Sequence, residues 1–227
     1  MNNGSVLESA RLRVVLATIF LNVIAVLYFA AMPWSNWRTG LALNILDNVI
    51  LITHVIRRRD SFMAHLMVFG LVVGFVELAA DAWLVMGTRT LDYSIGGGPM
   101  LWHSPIWMPF AWEVAAVQFG YIGSRLADRW GWAGLFATGV LGAVNIPFYE
   151  EMALRTNWWS YSNCRMLLHT PYYIIAGEYL IAVFLGVLAN DLRKERPMLT
   201  FSAGAVAGAS VLVCYGLTHE LIDNFLR

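Results

Sequence analysis

The chain has 227 residues, 59% of them hydrophobic and 13% charged, with 15 basic and 15 acidic side chains that give a formal net charge of zero. This balance excludes a basic nucleic-acid-binding protein and an acidic interaction tail, and it is too apolar for a soluble domain. Two cysteines, Cys164 and Cys214, provide neither a disulfide framework nor a zinc site. The composition therefore predicts one integral membrane domain over residues 1–227.

Seven apolar segments of about 20 residues predict an all-α bundle of seven transmembrane helices. The predicted spans are residues 12–32, 39–57, 62–87, 105–124, 132–153, 171–190 and 199–223. The first span is too long for a signal peptide and has no small-x-small cleavage site, so we expect it to be retained. In the last span, Gly204 and Gly208 form a small-xxx-small face, which is expected to pack against a neighbouring helix of the bundle.

Basic residues divide unequally between the two sets of predicted loops. Ten of them fall on the side of the N-terminus: Arg11, Arg13, Arg57, Arg58, Arg59, Arg125, Arg129, Arg193, Lys194 and Arg196. The other five fall on the opposite side: Arg38, Arg89, Arg155, Arg165 and Arg227. Since cytoplasmic loops carry an excess of Lys and Arg, we expect a cytoplasmic N-terminus and an external C-terminus, in a bacterial cytoplasmic membrane.

Two short motifs of one pattern precede the fourth and sixth predicted spans. Residues 103–105 read His-Ser-Pro and residues 169–171 read His-Thr-Pro, each followed by a bulky and then an aromatic residue. A hydroxyl residue before proline is typical of a helix N-terminus, so Ser104 and Thr170 are predicted to cap helices. Glu113 and Glu178 then lie about 10–12 Å along these helices, within apolar sequence.

The acids embedded in the predicted spans all fall in the half of the bundle opposite the N-terminus. The candidate catalytic acids are Asp81, Glu113, Glu150 and Glu178, with Glu77 as a supporting partner on the same helix face as Asp81. Ionisable groups in a bilayer usually face a cavity, a partner or a pathway. Because no Lys or Arg is embedded beside them, we expect some of these acids to keep a proton at neutral pH and to act as proton donors.

Other acids are open to structural interpretations. Asp47, between Asn44 and Asn48, also fits a polar contact between helices, whereas Glu151 and the acids that end the last span are expected to be solvated near helix ends.

Many aromatic side chains lie close in sequence to the embedded acids. The candidate substrate-binding residues are Trp83, Trp107, Trp112, Tyr149, Trp159, Tyr161, Tyr172 and Tyr173, with His103 and His169 as candidates for orienting the acids. Aromatic faces stabilise a cation when water is excluded, so proton donors beside aromatic walls suit protonation of an isoprenoid alkene. Singly, each aromatic residue also fits packing or an interfacial belt, and the two histidines also fit loop ends at the interface.

The pair formed by the third and fourth spans shares sequence features with the pair formed by the fifth and sixth spans. Each pair has an acid near the end of the first span, an aromatic loop and a His-hydroxyl-Pro motif. Both pairs run in the same direction, so the recurrence predicts a parallel internal repeat with a site at the repeat interface.

Over about residues 75–180 the chain resembles small polytopic carotenoid enzymes, namely the lycopene cyclases and the carotenoid hydratases. Residues 145–151 read Asn-Ile-Pro-Phe-Tyr-Glu-Glu, similar to the Pro-x-Glu-Glu signature of those cyclases but with two residues between Pro and Glu. Residues 110–113 read Phe-Ala-Trp-Glu and resemble membrane-bound terpene cyclases, whose acid-bearing helix stands earlier in the chain. The resemblance implies a cyclase or hydratase that uses no cofactor or metal and acts on a polyprenyl-derived lipid in the bilayer.

Several other functions were weighed against this one. A proton-coupled transporter or lipid-binding protein also fits a repeat with embedded acids. Residues 150–155 spell the Glu-Glu-x-x-x-Arg motif of CAAX-type intramembrane proteases, but the later histidine motifs of that family are incomplete. The only lysine, Lys194, lies in a loop, which excludes a rhodopsin-type pigment. Isolated histidines argue against a di-iron desaturase, and without a paired-Asp site magnesium-dependent prenyl transfer is disfavoured.

Overall fold

The computed structural model describes residues 3–225 and is mostly helical. Seven long helices follow one another: α1 (Asn3–Ala30), α2 (Trp37–Arg58), α3 (Ser61–Ala82), α4 (Met108–Trp130), α5 (Trp132–Arg155), α6 (Tyr172–Asp191) and α7 (Pro197–His219). α3 and α7 continue into π-helical turns at Trp83–Thr88 and Glu220–Phe225, and a 3-10 turn at Leu192–Lys194 follows α6.

Six of these helices are long and apolar enough to cross a membrane, namely all except α4, so the described part of the chain is an all-α membrane protein. α4 is less apolar because Glu113, Gln118 and the charged residues of its last turns interrupt its hydrophobic sequence. It packs against α3, α5 and α6. A central position of this kind shields the polar side chains of α4 from lipid.

Short strands cluster at one end of the bundle, which we call the hairpin end. The strands are β1 (Leu91–Asp92), β2 (Met100–Leu101), β3 (Ser104–Pro105), β4 (Ser160–Tyr161), β5 (Met166–Leu167) and β6 (Thr170–Pro171). β2 and β3 form one hairpin, β5 and β6 form a second, and β1 pairs with β4.

Both His-hydroxyl-Pro motifs lie in these hairpins, so the prediction that Ser104 and Thr170 cap helices is wrong, although α6 does begin directly after Pro171. Ser104 and Thr170 belong to strands, and α4 and α6 begin only at Met108 and Tyr172. The Ser104 hydroxyl donates to a carboxylate of α3 and caps no helix. The rule for hydroxyl-proline pairs failed because cross-strand pairing satisfies these backbone groups before the helices begin.

The two hairpins have the same register and the same backbone geometry. Met100 pairs with Pro105 in the first hairpin, as Met166 pairs with Pro171 in the second. Trp102 and Leu168, at matching positions of the two turns, both adopt the left-handed conformation with φ of 56°. Few residues other than glycine adopt this conformation, so its presence at both positions is a specific likeness between the hairpins.

Glycine allows very close contact between α3 and its neighbours. A Cβ atom at Gly74 would lie 2.2 Å from the carbonyl oxygen of Pro109 in α4. On the other side of α3, Gly204 and Gly208 of α7 approach the backbone carbonyls of Phe69 and Val73. The small-xxx-small face of the last helix therefore packs within the bundle, as its spacing predicts.

We expect Gly74→Ala to be strongly destabilising, because the new methyl group would meet backbone of α4 that cannot rotate away. A loss of about 3 kcal/mol, or about 6–12 °C in the melting temperature, is expected for a chain of this size. Thermal unfolding in detergent, followed by circular dichroism, measures it. Gly216→Ala is the control: nothing lies within 4 Å of a Cβ atom there, so equal melting temperatures for the two variants would contradict the close-packing argument.

Candidate active site

A cavity of about 190 Å³ lies inside the bundle, toward the hairpin end. All seven helices contribute to its wall, together with the loops that carry β1 and β4. Its volume is close to that of a cavity that binds one benzene molecule, about 150 Å³. The cavity therefore has room for one ring-sized segment of a lipid, and the rest of such a lipid would extend outside it.

Three of the five predicted catalytic acids line the cavity: Asp81, Glu150 and Glu178. Each comes from a different helix, α3, α5 and α6 respectively, and each is buried. Glu77 is fully buried, one turn before Asp81. Glu113 is also buried but is not part of the cavity wall, and its backbone packs against Gly70 of α3.

A single oxygen of Asp81 accepts hydrogen bonds from two hydroxyl groups. The Tyr93 and Ser104 hydroxyls each donate to Oδ2 at 2.7 Å. The Glu77 carboxyl lies within hydrogen-bonding range of Asp81 and of the Trp112 indole N–H. A hydrogen bond between these two carboxyl groups needs a proton on one of them, since two carboxylates offer no donor.

Glu150 is held by aromatic residues that carry polar hydrogens. The Trp159 indole Nε1 donates to Oε2 at 2.5 Å, and the Tyr161 hydroxyl lies 3.3 Å from Oε1. Both donors come from the loop that follows α5, so the residues that position Glu150 also form the cavity wall. Glu178 in turn accepts the Tyr215 hydroxyl of α7 on Oε1 at 2.5 Å.

Tyr93 is placed relative to Asp81 as Tyr161 is placed relative to Glu150. Each lies in a strand-bearing loop outside the predicted spans and directs its hydroxyl to the acid near the end of the preceding helix. Burial, followed by the negative charge of the nearby acid, raises the pKa of Tyr93 and the pKa of Tyr161 well above the usual tyrosine value. Both phenols therefore keep their protons at neutral pH and remain hydrogen-bond donors.

A cluster of three indoles forms the aromatic wall beside Glu150. The ring centroids of Trp107 and Trp158 are 5.6 Å apart, and Trp159 lies 6.1 Å from each of them. Tyr93 contacts Trp159 edge-on at 6.0 Å. Asp81, Tyr93, Trp159 and Glu150 therefore form a continuous chain of contacts along the cavity.

The predicted substrate-binding residues divide into two groups. Those that line the cavity are Trp107, Trp112, Tyr149, Trp159 and Tyr161. Those that do not are Trp83, Tyr172, Tyr173, His103 and His169. Tyr173 is buried and bonds to Thr90, Trp83 contacts the ring of His219, and the half-exposed His169 pairs with Glu151.

Sequence reasoning missed several cavity residues. Trp158, Tyr93 and Tyr215 line the cavity but are not among the candidate residues that the sequence indicates. Tyr93 lies 68 residues before Tyr161. The same spacing separates Arg89 from Asn157, and both of these residues have a left-handed backbone conformation. Extending the repeat upstream of the hairpins would have identified Tyr93. Carboxamides on α1, α2, α4 and α5 also line the cavity, and nothing marked them together in the sequence.

The polar side chains of the cavity wall, among the residues that the structure describes, are acidic or uncharged. None of its lining residues among the described part of the chain is Lys, Arg or His. No group of three or more His, Cys, Asp or Glu within residues 3–225 is arranged to hold a metal ion. The functional groups of the cavity are therefore carboxyl, hydroxyl, indole and amide groups, which can move protons and form hydrogen bonds.

A family model described as "Domain of unknown function (DUF6989)" matches residues 78–222, a range that contains all three cavity acids and the two hairpins. No curated protein matches the chain, and no solved structure matches it either.

Proposed function

The chain belongs to the DUF6989 family, and we propose that the protein is a membrane-embedded isoprenoid cyclase or hydratase. The proposed enzyme protonates an alkene of a polyprenyl-derived lipid. The observation that carries the proposal is the cavity itself. It brings Asp81, Glu150 and Glu178 together against indole rings, and none of the described residues in its wall is basic. Acids that can hold a proton beside aromatic faces are the groups that alkene protonation needs.

The proposed reaction needs no oxidant, reductant or cofactor. A carboxylic acid transfers its proton to one carbon of a trisubstituted alkene, and the other carbon becomes a tertiary carbocation. The π electrons of a second alkene in the same lipid then form the new carbon–carbon bond and close a ring. Loss of a proton to a carboxylate gives a cyclic isomer, whereas addition of water followed by loss of a proton gives an alcohol.

We assign the proton donor to Glu150. Its Oε2 is bonded to the Trp159 indole and its Oε1 has only a long contact with Tyr161, so Oε1 is available to carry a proton. The three-indole cluster begins at Trp159, so a cation formed beside Glu150 would develop against ring faces. Stabilising charge where it appears is usually the largest catalytic contribution of an enzyme site.

We assign the final proton acceptor to Asp81. Two hydroxyl donors on its Oδ2 favour the carboxylate form, since an oxygen that accepts two O–H groups does not carry a proton itself. Glu77 lies in contact with Asp81 and would hold the proton that the pair shares. Glu178, bonded to Tyr215, is assigned to a supporting role at the cavity wall.

We further propose that α3–α4 and α5–α6 are duplicated units related by a twofold axis. Asp92 of β1 pairs directly with Ser160 of β4, its counterpart 68 residues later, as expected if the axis passes between them. Contacts across this axis are reciprocal. Thr90 of the first unit bonds to Tyr173 of the second, and Trp158 of the second packs against Trp107 of the first.

The duplication suggests how a lipid reaches the cavity. α7 packs closely along α3 and α6. The corresponding groove between α5 and α4 is covered by α1 and α2, which make far fewer contacts with them. Asn22, Val26, Leu43 and Asn44 of these two helices line the cavity at that side. A lipid tail is therefore proposed to leave the cavity between α1–α2 and α4–α5.

The proposal places the protein across a bacterial cytoplasmic membrane with seven spans, α4 being the central one. The excess of basic residues on the N-terminal side supports a cytoplasmic N-terminus and an external hairpin end. The expected external C-terminus concerns residues 226 and 227, which lie outside the described residues.

The proposal is tested by identifying the lipids that the protein converts. Wild type and Asp81→Asn are expressed in a host that makes polyprenyl lipids, and extracted lipids are compared by mass spectrometry. We expect wild type to give a cyclic isomer, or a product heavier by one water, and Asp81→Asn to accumulate the precursor. Asp92→Asn is the control, because Asp92 is an exposed acid of β1. Identical lipids in all three would reject the reaction, and proton-coupled transport would then be measured in proteoliposomes.

A further inference from the structure

Four carboxamide side chains line the cavity: Asn22 of α1, Asn44 of α2, Gln118 of α4 and Asn145 of α5. The rise per residue of an α-helix places Asn145 about 15 Å from the hairpin end of α5, against about 7 Å for Glu150. Gln118 is similarly about 15 Å along α4. The cavity therefore has an acidic and aromatic layer near the hairpins and an amide layer beneath it.

The amides are not fully used by the protein. Asn22, Asn44 and Gln118 donate hydrogen bonds to the Thr18 carbonyl, the Gly40 carbonyl and the Thr18 hydroxyl respectively. Asn22 also lies within hydrogen-bonding range of the Asp47 carboxyl. Asn145 forms no side-chain hydrogen bond with any residue between 3 and 225. None of these amides has a polar atom that is both buried and unpaired, and all four residues line the cavity.

Unpaired amides inside a membrane protein are costly unless a ligand or water satisfies them. An amide group can donate to a carbonyl and accept from a hydroxyl, so it suits either kind of uncharged oxygen. The absence of Lys, Arg and His from the cavity wall, among the described residues, disfavours a diphosphate or carboxylate at this position. The amide layer therefore fits a neutral oxygen-bearing group.

We propose that the amide layer binds a hydroxyl or carbonyl group of the substrate, so that the lipid is an oxygenated isoprenoid and not a pure hydrocarbon. This inference deepens the proposed function and rests on it for the identity of the cavity as a substrate site. The oxygen is held by Asn145 and Gln118, and the alkene to be protonated lies toward Glu150. The spacing of the two layers thus selects which double bond of the chain meets the acid.

Binding of matched lipids tests the proposal without any need for turnover. The probes are all-trans geranylgeraniol, the hydrocarbon in which its hydroxymethyl group is a methyl group, and geranylgeranyl diphosphate. Quenching of tryptophan fluorescence reports occupancy, because Trp107, Trp112 and Trp159 line the cavity. Wild type should bind the alcohol about tenfold more tightly than the hydrocarbon, as expected for one hydrogen bond formed away from water, and should bind the diphosphate more weakly than the alcohol.

Asn145→Leu and Gln118→Leu, on different helices, should each remove the preference for the alcohol and leave affinity for the hydrocarbon unchanged. Asn48→Leu is the control, since Asn48 lies one turn from Asn44 on α2 and does not line the cavity. Equal binding of alcohol and hydrocarbon by wild type would overturn the proposal. Variants whose affinity for both ligands falls by the same factor would also overturn it. Glu150→Gln should retain the preference, so a failed reaction and a failed amide site give different results.

Discussion

Glu150→Gln should reduce turnover of the proposed isoprenoid substrate by about 10²–10⁴-fold, the range that a general acid usually contributes. The amide keeps the shape of the carboxyl group, and its oxygen can still accept the Trp159 indole N–H. It has no acidic proton to transfer to the alkene. The measurement is the initial rate of product formation in lipid nanodiscs, with substrate binding followed separately by tryptophan fluorescence.

The neighbouring acid provides a matched control for this substitution. Glu151 is on the same helix but directs its carboxylate away from the cavity, to Arg155 at 2.7 Å and to His169 at 2.5 Å. Glu151→Gln should therefore retain turnover within about twofold. If Glu150→Gln also retained turnover, Glu150 would not be the donor. Equal losses in both variants would point to a general effect on α5 rather than to proton transfer.

The acids of the site could be predicted because membrane burial makes a charged residue conspicuous in an apolar sequence. Asp81, Glu150 and Glu178 were identified from helix number and direction, and all three line one cavity. Glu113 was identified by the same reasoning but lies off the cavity wall. Depth along a helix follows from sequence position, whereas the direction of a side chain depends on how the helices pack.

The hairpins and the amide layer could not be predicted for a different reason. A two-residue strand has no periodicity to detect, and Pro after a hydroxyl residue is equally compatible with a strand edge and a helix start. Asn22, Asn44, Gln118 and Asn145 are spread over four helices, and a lone amide in a helix usually contacts its own backbone or a neighbouring helix. Only the packing of α1 and α2 against α4 and α5 brings them together.

The end of the bundle opposite the hairpins is held by a buried ionic network. Asp60, between α2 and α3, accepts two hydrogen bonds from Arg11 of α1. Arg11 Nε donates to Oδ2 at 2.8 Å, and Nη2 donates to Oδ1 at 2.7 Å. It also accepts the Met63 backbone N–H as the cap of α3, and the His54 ring lies 3.1 Å away. The Asp60 side chain is fully buried. One carboxylate therefore connects the first three helices.

Arg11→Leu should destabilise the protein by about 3 kcal/mol, because removing one partner of a buried ion pair leaves a carboxylate without compensation. The melting temperature should fall by about 6–12 °C, measured by circular dichroism in detergent at pH 7. Arg13→Leu is the control, since Arg13 is exposed on the same helix and its guanidinium bonds to the Ser9 carbonyl instead of a carboxylate. A similar fall in both variants would show that loss of positive charge, and not loss of the network, is responsible.

The pH dependence gives this prediction a second, independent test. Burial alone would raise the pKa of Asp60, but hydrogen bonds from Arg11, Met63 and His54, together with the charge of Arg11, hold that pKa below its usual value. A depressed carboxyl pKa contributes stability that is present above the unfolded value of about 3.9 and is lost as pH falls through the folded value. The difference in melting temperature between wild type and Arg11→Leu should therefore be largest at pH 7 and should narrow as the pH falls toward 4 and below, because the uncompensated Asp60 of the variant takes up a proton at higher pH than the paired Asp60 of wild type. A difference that stayed constant down to pH 3 would mean that Arg11 stabilises the bundle through its packing on Phe62 and not through Asp60.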